Sequence, residues 1–489
     1  MYSPTLEQAR AYAADYKCVP VCRPILSDMR TPIEVLKVLK NVSKHCYLLE
    51  SLASSDSWGR YTFLGYEPGL EITCVDGRVR ITDNGQVTQQ NTRHPGEILR
   101  RIVAEHKSPK IEGFPTFTGG LVGYFSYDFI KYAEPNLKLD AEDQEHFNDF
   151  DLMLFDKVIC FDNLKQKIIL IANASTDDLD SSYPAAVQAL DEMAQLIRTG
   201  TPAPDQPLKL RSEFRHLFDK EQYCSMVERA RKYIYEGDIF QVVLSNRLDA
   251  DCEGSLLDTY RLLRVINPSP YMFYFSSDDI EIAGASPETL VKLTDGTLYT
   301  FPLAGTKPRG KTPEEDKALE QTLLSDPKER SEHNMLVDLG RNDIGKISQF
   351  GSVEVERYMD VLRYSHVMHI GSTVRGTIRP GKDAVDAVEA ILPAGTLSGA
   401  PKFRACQIIN ELENNKRGIY GGAIGYIDFT GNLDTCIAIR IAFKKNGKVF
   451  IRSGAGIVAD SVPESEYQEC INKAQAVVNA VKASEGGLD

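Results

Sequence analysis

The alternation of apolar and polar positions between residues 434 and 473 predicts a strand, a hairpin, a second strand, a glycine loop and a helix. In the first predicted strand, TCIAIRIAF, every second residue from Ile437 is large and apolar, so these side chains share one face. Arg440 lies on the other face among small residues. That face leaves room for a ligand beside a fixed cation.

A glycine-rich segment follows the hairpin. Asn446-Gly447 is typical of a tight hairpin turn. The return strand leads into Gly454-Ala455-Gly456, which we predict to be a loop whose main-chain N–H groups can approach a ligand closely.

The predicted helix after this loop carries Glu466, Glu469 and Lys473 on the side opposite its apolar stripe. These residues have two interpretations. They could form a solvated face with a Glu469–Lys473 pair worth about 0.2–0.5 kcal/mol. They could instead line a functional site.

An earlier predicted helix, which begins at Asp326-Pro327, places Glu332 within its apolar stripe. A buried carboxylate costs several kcal/mol unless it is paired or binds a metal. An ion pair with Arg341 is therefore the alternative to a metal site.

Three further polar residues lie on or between predicted strands. Gln241 opens the strand QVVLSNRL, Glu288 follows Ser-Pro at a break between two strands, and His369 lies in the strand RYSHVMHIGSTV on one face with Ser365 and Val367. Hydrogen bonding to neighbouring strands is an alternative role for Gln241, and a structural role is an alternative for His369.

The N-terminal half contains a predicted strand, HCYLLESLA, and a second one after Gly59. This order would bring Glu50, Ser51 and Arg60 to one end of a sheet. The proline-rich segment TGTPAPDQP marks a boundary between regions 1–205 and 206–489. We expect both regions to contribute strands to one β core.

Composition excludes several classes of protein. The chain has 489 residues, 42% hydrophobic and 26% charged, as expected for a globular protein. Its net charge of −13 argues against binding to nucleic acid or to an acidic membrane surface. Ten scattered cysteines without a CxxC pair indicate reduced thiols. No segment is typical of a signal peptide or a transmembrane helix, so we expect a cytoplasmic protein.

The second half thus offers carboxylates, two cations and glycine-lined segments, of which AGTLSGAPK precedes a predicted helix N-terminus suited to an anion. Carboxylates and water hold Mg²⁺, whereas arginine, lysine and N–H groups hold carboxylates. We therefore predict a site for a small dianionic carboxylic acid beside a divalent metal.

Six motifs occur in an order typical of one family. DPKERSEHNMLVDLGRNDIGKI, RYSHVMHIGSTVRG, GTLSGAPK, YGGAIGYI, TCIAIRIA and SGAGIVADSVPESEYQECINKA resemble the chorismate-utilising enzymes over about residues 215–480, and LLES and GGLVGYFSYD extend the match more diffusely. The resemblance implies an α+β fold of two stacked antiparallel β-sheets flanked by helices.

Two positions suggest a branch of the family. Isochorismate and salicylate synthases carry lysine where Gln241 stands, and aminodeoxychorismate synthases typically carry lysine where Ala304 stands. The chain therefore resembles the anthranilate-forming large subunits, the aminase and lyase of tryptophan biosynthesis. Cys470 and Ile471 depart from the usual pattern beside Glu469.

The resemblance also implies roles for individual residues. The expected catalytic residues are His369, Glu288 and Gln241, and the expected Mg²⁺ ligands are Glu332, Glu469 and Glu466. The expected substrate contacts are Thr396, Tyr426, Arg440, Gly454, Ala455, Gly456, Lys473 and Gly284.

Regulation and partners follow from the same resemblance. Region 1–205 would be regulatory, region 206–489 catalytic, and tryptophan would inhibit from a site formed by Glu50, Ser51, Arg60, Pro270, Tyr271 and Met272. No segment is typical of a glutamine amidotransferase, so a separate subunit of that kind would supply ammonia, as in a heterotetramer.

Two alternatives remain from the sequence. A 2-amino-2-deoxyisochorismate synthase, or another chorismate-family aminase, would stop before pyruvate is lost, and His369 argues against it. A sensor that binds tryptophan and a partner without catalysis is a second alternative. The retained charges of Glu332, Glu469 and Lys473 argue against that reading.

Overall fold

Two large antiparallel β-sheets form the centre of the computed structural model, which describes residues 2–52, 59–363 and 367–488. The strands in chain order are β1 (Cys18–Leu26), β2 (Cys46–Glu50), β3 (Tyr61–Tyr66), β4 (Leu70–Val75), β5 (Arg78–Asp83), β6 (Gln86–Asn91), β7 (Gly120–Phe125), β8 (Phe150–Phe155), β9 (Lys157–Asp162), β10 (Lys167–Ser175), β11 (Lys209–Leu210), β12 (Arg215–His216), β13 (Gln241–Glu253), β14 (Tyr271–Ser276), β15 (Glu281–Ser286), β16 (Thr289–Thr294), β17 (Thr297–Thr300), β18 (Leu303–Pro308), β19 (Glu354–Arg363), β20 (Val367–Thr377), β21 (Gly399–Ala400), β22 (Ala423–Asp428), β23 (Leu433–Ile437), β24 (Ile441–Lys445) and β25 (Lys448–Ile457).

Helices cover the outer faces of both sheets. They are α1 (Leu6–Arg10), α2 (Pro32–Val42), α3 (Gly96–Glu105), α4 (Ile130–Ala133), α5 (Leu179–Thr199), α6 (Lys220–Tyr235), α7 (Leu257–Ile266), α8 (Pro313–Ser325), α9 (Pro327–Gly345), α10 (Ala384–Ile391), α11 (Lys402–Glu413) and α12 (Pro463–Ala483), with short 3₁₀ turns at Tyr127–Phe129 and Gly395–Leu397. Within the described residues, no helix is both long and apolar enough to cross a bilayer.

Both sheets contain strands from each side of the proline-rich segment. The first sheet has the order β1-β10-β9-β3-β2-β14-β15-β24-β25-β13-β11, and the second has the order β18-β20-β17-β16-β23-β22-β7-β8-β4-β5-β6. In the first sheet, β2 pairs with β14, and in the second β7 pairs with β22. The expected fold class, two stacked antiparallel sheets flanked by helices, is confirmed.

Three apolar layers hold this arrangement together. An aromatic core that includes Tyr47, Phe155, Phe273 and Phe443 fills the space between the sheets. Residues of α2, α5, α7 and α12 pack on the outer face of the first sheet. Residues of α3, α9 and α10 pack on the second. Burial of apolar surface on both faces therefore fixes how the sheets stack.

The chain passes from one sheet to the other at two adjacent points. Between β15 and β16 it crosses at Glu288, and between β23 and β24 it crosses back at Arg440. The crossings are hydrogen-bonded to each other, since the N–H of Ile437 donates to the carbonyl of Glu288 at 2.9 Å and that of Ala285 donates to the carbonyl of Arg440 at 3.2 Å.

Two local predictions are wrong in the same region. TCIAIRIAF is not one strand, because the chain changes sheets at Arg440, whose φ of 53° is outside the strand region. The predicted loop at Gly454-Ala455-Gly456 is instead the end of β25, which pairs with β13 through Gly456 and Val243. The hairpin at Asn446-Gly447 is confirmed.

Candidate active site

A cavity of about 580 Å³ opens beside the double crossing, between the ends of β13 and β25, the 3₁₀ turn Gly395–Leu397, and helices α9 and α12. Many of the residues singled out in the sequence line it. They are Gln241, Glu288, Glu332, Thr396, Arg440, Gly454, Gly456, Glu466, Glu469 and Lys473.

Glu288 is the carboxyl group in the wall of the cavity at the first crossing. Burial raises its pKa to about 7, although a hydrogen bond from Thr396 and attraction to Arg440 and Lys473 act in the opposite direction. The hydroxyl of Thr396 donates to Oε1 of Glu288 at 3.2 Å. A carboxyl group with this pKa can hold a proton near neutral pH and release it to a leaving group.

Two cations face this acid. Arg440 is half-buried at the second crossing, and burial lowers its pKa while Glu288 raises it. Lys473 on α12 forms an ion pair with Glu469 at 2.6 Å, as the helical spacing predicts. The cavity therefore presents positive charge to an anionic ligand beside a protonatable acid.

Three carboxylates line the side of the cavity formed by α9 and α12. Partial enclosure by the surrounding protein raises the pKa of Glu332, although its side chain stays accessible from the open cavity, and repulsion from Glu329 and from Glu469 adds to this effect. Burial also raises the pKa of Glu466, and repulsion from Glu469 adds to this effect. Removal from water is the largest cause of both shifts, and repulsion from Glu469, which a bound cation would relieve, contributes to each.

Glu332 does not lie in an apolar environment as predicted, since it is exposed to the open cavity. The alternative ion pair is also wrong, because Arg341 pairs with Asp338. The helix α9 packs with Leu336 and Val337 buried, and Glu332 lies at the margin of that buried face.

These carboxylates fit Mg²⁺ in their chemistry. Within the described residues, no three His, Cys, Asp or Glu side chains form a ready-made metal centre. Magnesium usually keeps several water ligands and takes one or two carboxylates plus oxygen atoms of a substrate. Glu332, Glu466 and Glu469 are oxygen donors of this kind facing one cavity.

His369 lies beside the cavity rather than in its wall. Its Nδ1 is 2.8 Å from the carbonyl of Gly305 and 3.1 Å from the hydroxyl of Thr306. Burial lowers its pKa, the hydrogen bond with the Gly305 carbonyl acts in the opposite direction, and Arg440 lowers the pKa further, so the neutral ring is favoured at neutral pH. Ser365, expected on the same face, lies outside the described residues.

The structure places three expected substrate contacts away from the cavity. Tyr426 packs on Phe117 with ring centroids 4.4 Å apart in the layer between the sheets. Ala455 is fully buried on the opposite face of β25 from Gly454 and Gly456, because strand side chains alternate. Gly284 is also a core position.

A side chain at Gly284 would come within 2.4 Å of the Phe273 ring and 2.7 Å of Ile441. The glycine is therefore required by the packing of β15 between β14 and β24.

Sequence reasoning missed Tyr420, which lines the cavity six residues before Tyr426. Its hydroxyl lies 3.1 Å from where a Cβ on Gly454 would stand. Two glycines, Gly421 and Gly422, directly follow Tyr420 in the sequence and could have indicated this position. Arg452 and Ser453, which also line the cavity, follow an apolar run that predicts only a strand.

The residues expected to bind an effector gather at one end of the first sheet, as the sequence predicts for Glu50 and Arg60. Glu50 pairs with Met272 across β2 and β14, and it pairs with Thr62 on its other side, two residues after Arg60. Pro270 directly precedes β14.

Their side chains have distinct environments. Glu50 is buried and accepts hydrogen bonds from Tyr260 and from Arg264, whose Nη2 is 3.1 Å away. Arg60 makes a bidentate contact with Asp162 at 3.2 and 2.8 Å. The buried Oγ of Ser51 has no hydrogen-bond partner among the described residues.

Tyr271 links this region to the first crossing. Its hydroxyl is 2.9 Å from the hydroxyl of Thr289 and 2.8 Å from the carboxylate of Asp434. Thr289 directly follows Glu288, so the expected effector residues lie close to the first crossing.

The fold and the cavity define an enzyme of the chorismate-utilising class. The sequence model described as chorismate binding enzyme matches residues 46–479, and the chain therefore belongs to this family. The anthranilate synthase component 1 of Acetivibrio thermocellus is 45% identical over 490 residues, which is 99% of each chain. That of Aquifex aeolicus (strain VF5) is 43% identical over 98% of each chain.

A solved structure agrees with these relatives. The crystal structure of anthranilate synthase component I from Streptococcus pneumoniae TIGR4 is similar to this chain with a TM-score of 0.77 and 39% sequence identity. The match covers 93% of this chain and 98% of that chain. The family expected from the six motifs is confirmed.

The pKa of Glu288 leads to a prediction for the pH dependence of chorismate consumption. If Glu288 acts as an acid, the rate is constant while the group is protonated and falls as pH rises through about 7. Glu288→Gln cannot donate a proton, so its residual rate should not fall as pH rises through about 7; this falling part of the profile is the alkaline limb. A limb that persists unchanged in Glu288→Gln would assign it to another group.

Tyr420 and Tyr426 provide a matched pair of variants. Tyr420→Phe removes a hydroxyl from the cavity, and we expect kcat/KM for chorismate to fall about tenfold, the value of one hydrogen bond. Tyr426→Phe should leave kcat/KM within about twofold of the parent, because its ring lies between the sheets. The reverse result would restore Tyr426 as the substrate contact.

Proposed function

We propose that this chain is the large subunit of an anthranilate synthase, which converts chorismate and ammonia into anthranilate and pyruvate. The observation that carries the proposal is that Glu288, Arg440, Lys473 and the neutral Gln241 line one cavity, where Glu288 has a raised pKa. The full-length similarity to proteins named anthranilate synthase component 1 supports it.

Gln241 favours ammonia over water as the nucleophile. A lysine at this position could remove a proton from an attacking water, whereas a glutamine amide has no basic lone pair. Gln241 is 8% exposed and lines the cavity, so the side chain faces the reacting molecules. Neutral ammonia needs no base before it attacks.

The first step forms a C–N bond at C2 of chorismate while the C4 hydroxyl leaves. Glu288 donates the proton that lets the hydroxyl depart as water, and its hydrogen bond to Thr396 orients the carboxyl group. Arg440 and Lys473 bind the carboxylates of the substrate, with the main chain of Gly454 and Gly456 close by.

Glu332 and Glu469 would hold Mg²⁺ directly, and Glu466 would assist through water. When bound, the metal supplies a Lewis acid that orients one carboxylate of the substrate. The ion pair between Lys473 and Glu469 links this carboxylate side of the cavity to its cationic side.

The second step eliminates pyruvate and gives the aromatic product. His369 would assist this step as a neutral imidazole, because burial lowers its pKa and the contact to the Gly305 carbonyl makes Nδ1 the donor nitrogen. An enzyme that stopped at 2-amino-2-deoxyisochorismate would lack this second step.

Two further properties belong to the same proposal. A glutamine amidotransferase subunit would supply ammonia in the cell, in a heterotetrameric complex. Tryptophan would inhibit by binding near Ser51, Pro270, Tyr271 and Met272, where the main chain of β2 and β14 meets. Glu50 and Arg60 would contribute less directly, since their side chains are held by Arg264 and Asp162.

The direct test is anthranilate fluorescence from purified protein with chorismate, ammonium and Mg²⁺. We expect product formation that stops on chelation and falls by about a hundredfold or more in Glu332→Gln and Glu469→Gln, because each loses a charged oxygen ligand. Glu464→Gln, in the first turn of α12, the helix that carries Glu469, is the control and should keep full activity.

Two other outcomes of this test would identify a different protein class. Chorismate that disappears without anthranilate would identify an enzyme that stops before pyruvate loss. Tryptophan binding with no chorismate consumption, even with a glutaminase subunit added, would identify a sensor rather than a catalyst.

Ser51→Ala tests the effector site. The buried Oγ of Ser51 lacks a partner among the described residues, so a hydrogen bond to tryptophan would be lost, and we expect inhibition to need about 3- to 10-fold more tryptophan. Ser126→Ala is a matched control, since its Oγ is also buried without a partner in the described chain. Equal effects in both variants would contradict the assignment.

A further inference from the structure

A cluster of buried charged side chains adjoins the cavity, and one of its members, Arg452, lies in the cavity wall. The carboxylate of Glu413 accepts hydrogen bonds from Nε of Arg417 at 3.0 Å, Nη2 of Arg452 at 2.8 Å and the N–H of Ser245 at 2.7 Å. The three charged side chains are no more than 3% exposed. Burial raises the pKa of Glu413, but attraction to Arg417 and Arg452 outweighs it, so the cluster is ionised.

Arg417 also reaches two main-chain segments that line the cavity. Its Nη1 donates to the carbonyl of Leu397 at 2.6 Å, and its Nη2 donates to the carbonyl of Val243 at 2.7 Å. Leu397 directly follows Thr396, and Val243 is two residues after Gln241. One guanidinium group therefore bridges the segment that carries Thr396 and the strand that carries Gln241.

We propose that Arg417 is a positioning residue of the active site, which holds the Gly395–Leu397 turn against β13 and so keeps the hydroxyl of Thr396 on Glu288. The inference rests on the proposed role of Glu288 as the acid. Arg417 acts through the main chain, and its guanidinium group is separated from the cavity by the residues it holds.

Arginine suits this position for a geometric reason. Its planar group offers five N–H donors in a fixed fork, so it can satisfy one carboxylate and two carbonyls at the same time. Lysine has three donors on a single atom and cannot span the two carbonyls and Glu413 together. The stacking of Arg417 over the Tyr127 ring, 4.7 Å from the centroid, fixes the plane of the fork.

Loss of this bridge should be visible at Glu288. The charged groups that act on Glu288 are Arg440 and Lys473, and the hydrogen bond from Thr396 lowers its pKa against the effect of burial. If the turn moves away, the 3.2 Å contact from Thr396 is lost and the pKa of Glu288 rises. The acid then stays protonated to higher pH, and the alkaline limb of the rate profile moves upward.

The test compares the pH profiles of chorismate consumption in Arg417→Lys, Thr396→Val and the double variant. Both single variants should move the alkaline limb to higher pH, and the double variant should move it no further than Thr396→Val alone. We expect kcat in Arg417→Lys to fall about 10- to 100-fold, as for a small misplacement of a catalytic group.

Arg404→Lys is the matched control. Arg404 lies on α11, near Glu413 in sequence, and binds Asp238 at 3.0 and 2.6 Å. It does not line the cavity in the described residues, so its variant should keep the parental profile. Circular dichroism and thermal unfolding check that each variant is folded. If Arg417→Lys does not fold, the isosteric Glu413→Gln replaces it and should move the limb in the same direction.

A second measurement does not depend on turnover. The infrared band of a protonated carboxyl group that disappears in Glu288→Gln reports the titration of Glu288, and this titration should shift to higher pH in Arg417→Lys. If the parent protein consumes no chorismate, the proposed function fails while this titration still tests Arg417. A variant that is less stable but keeps both the limb and the titration of the parent would overturn the inference.

Discussion

The active-site cavity depends on two chain segments that leave one sheet and enter the other side by side. At such a crossing the main-chain groups lose the regular pairing of a sheet and must find other partners. Here the two crossings satisfy each other through Ile437 to Glu288 and Ala285 to Arg440. This mutual hydrogen bonding fixes an acid and a cation at neighbouring points, and the cavity opens beside them, between β13, β25, α9 and α12.

The electrostatics of the site follow from that placement. Glu288 is withdrawn from water, so its neutral form is favoured, yet Thr396 and Arg440 limit the shift and leave its pKa near 7. Glu332, Glu466 and Glu469 line the cavity from α9 and α12, and Glu469 repels both of the other carboxylates. Arg417, from the buried cluster with Glu413 and Arg452, holds the main chain at Leu397 and Val243, next to Thr396 and close to Gln241.

The proposed effector site is physically continuous with this centre. Met272 and Glu50 are cross-strand neighbours. Tyr271, which directly precedes Met272, contacts Thr289 and Asp434 beside the crossing. A ligand that moved Tyr271 would act on Thr289 and hence on the main chain of Glu288. Strand pairing and polar contacts thus join β2, from the N-terminal region, to the segment that carries Glu288 and Thr289.

The sequence by itself determined the family through its six motifs, and the two-sheet fold was implied by that resemblance. It also determined the hairpin at Asn446-Gly447 and the chemical types at the site, because turn residues and helical spacing are local properties. It could not show that TCIAIRIAF changes sheets at Arg440, since alternation looks the same in a straight and a broken strand. It also could not separate Tyr420 from Tyr426 or reveal the role of Arg417. Only the tertiary structure decides which of several similar residues faces a cavity, because that depends on strands far apart in the chain.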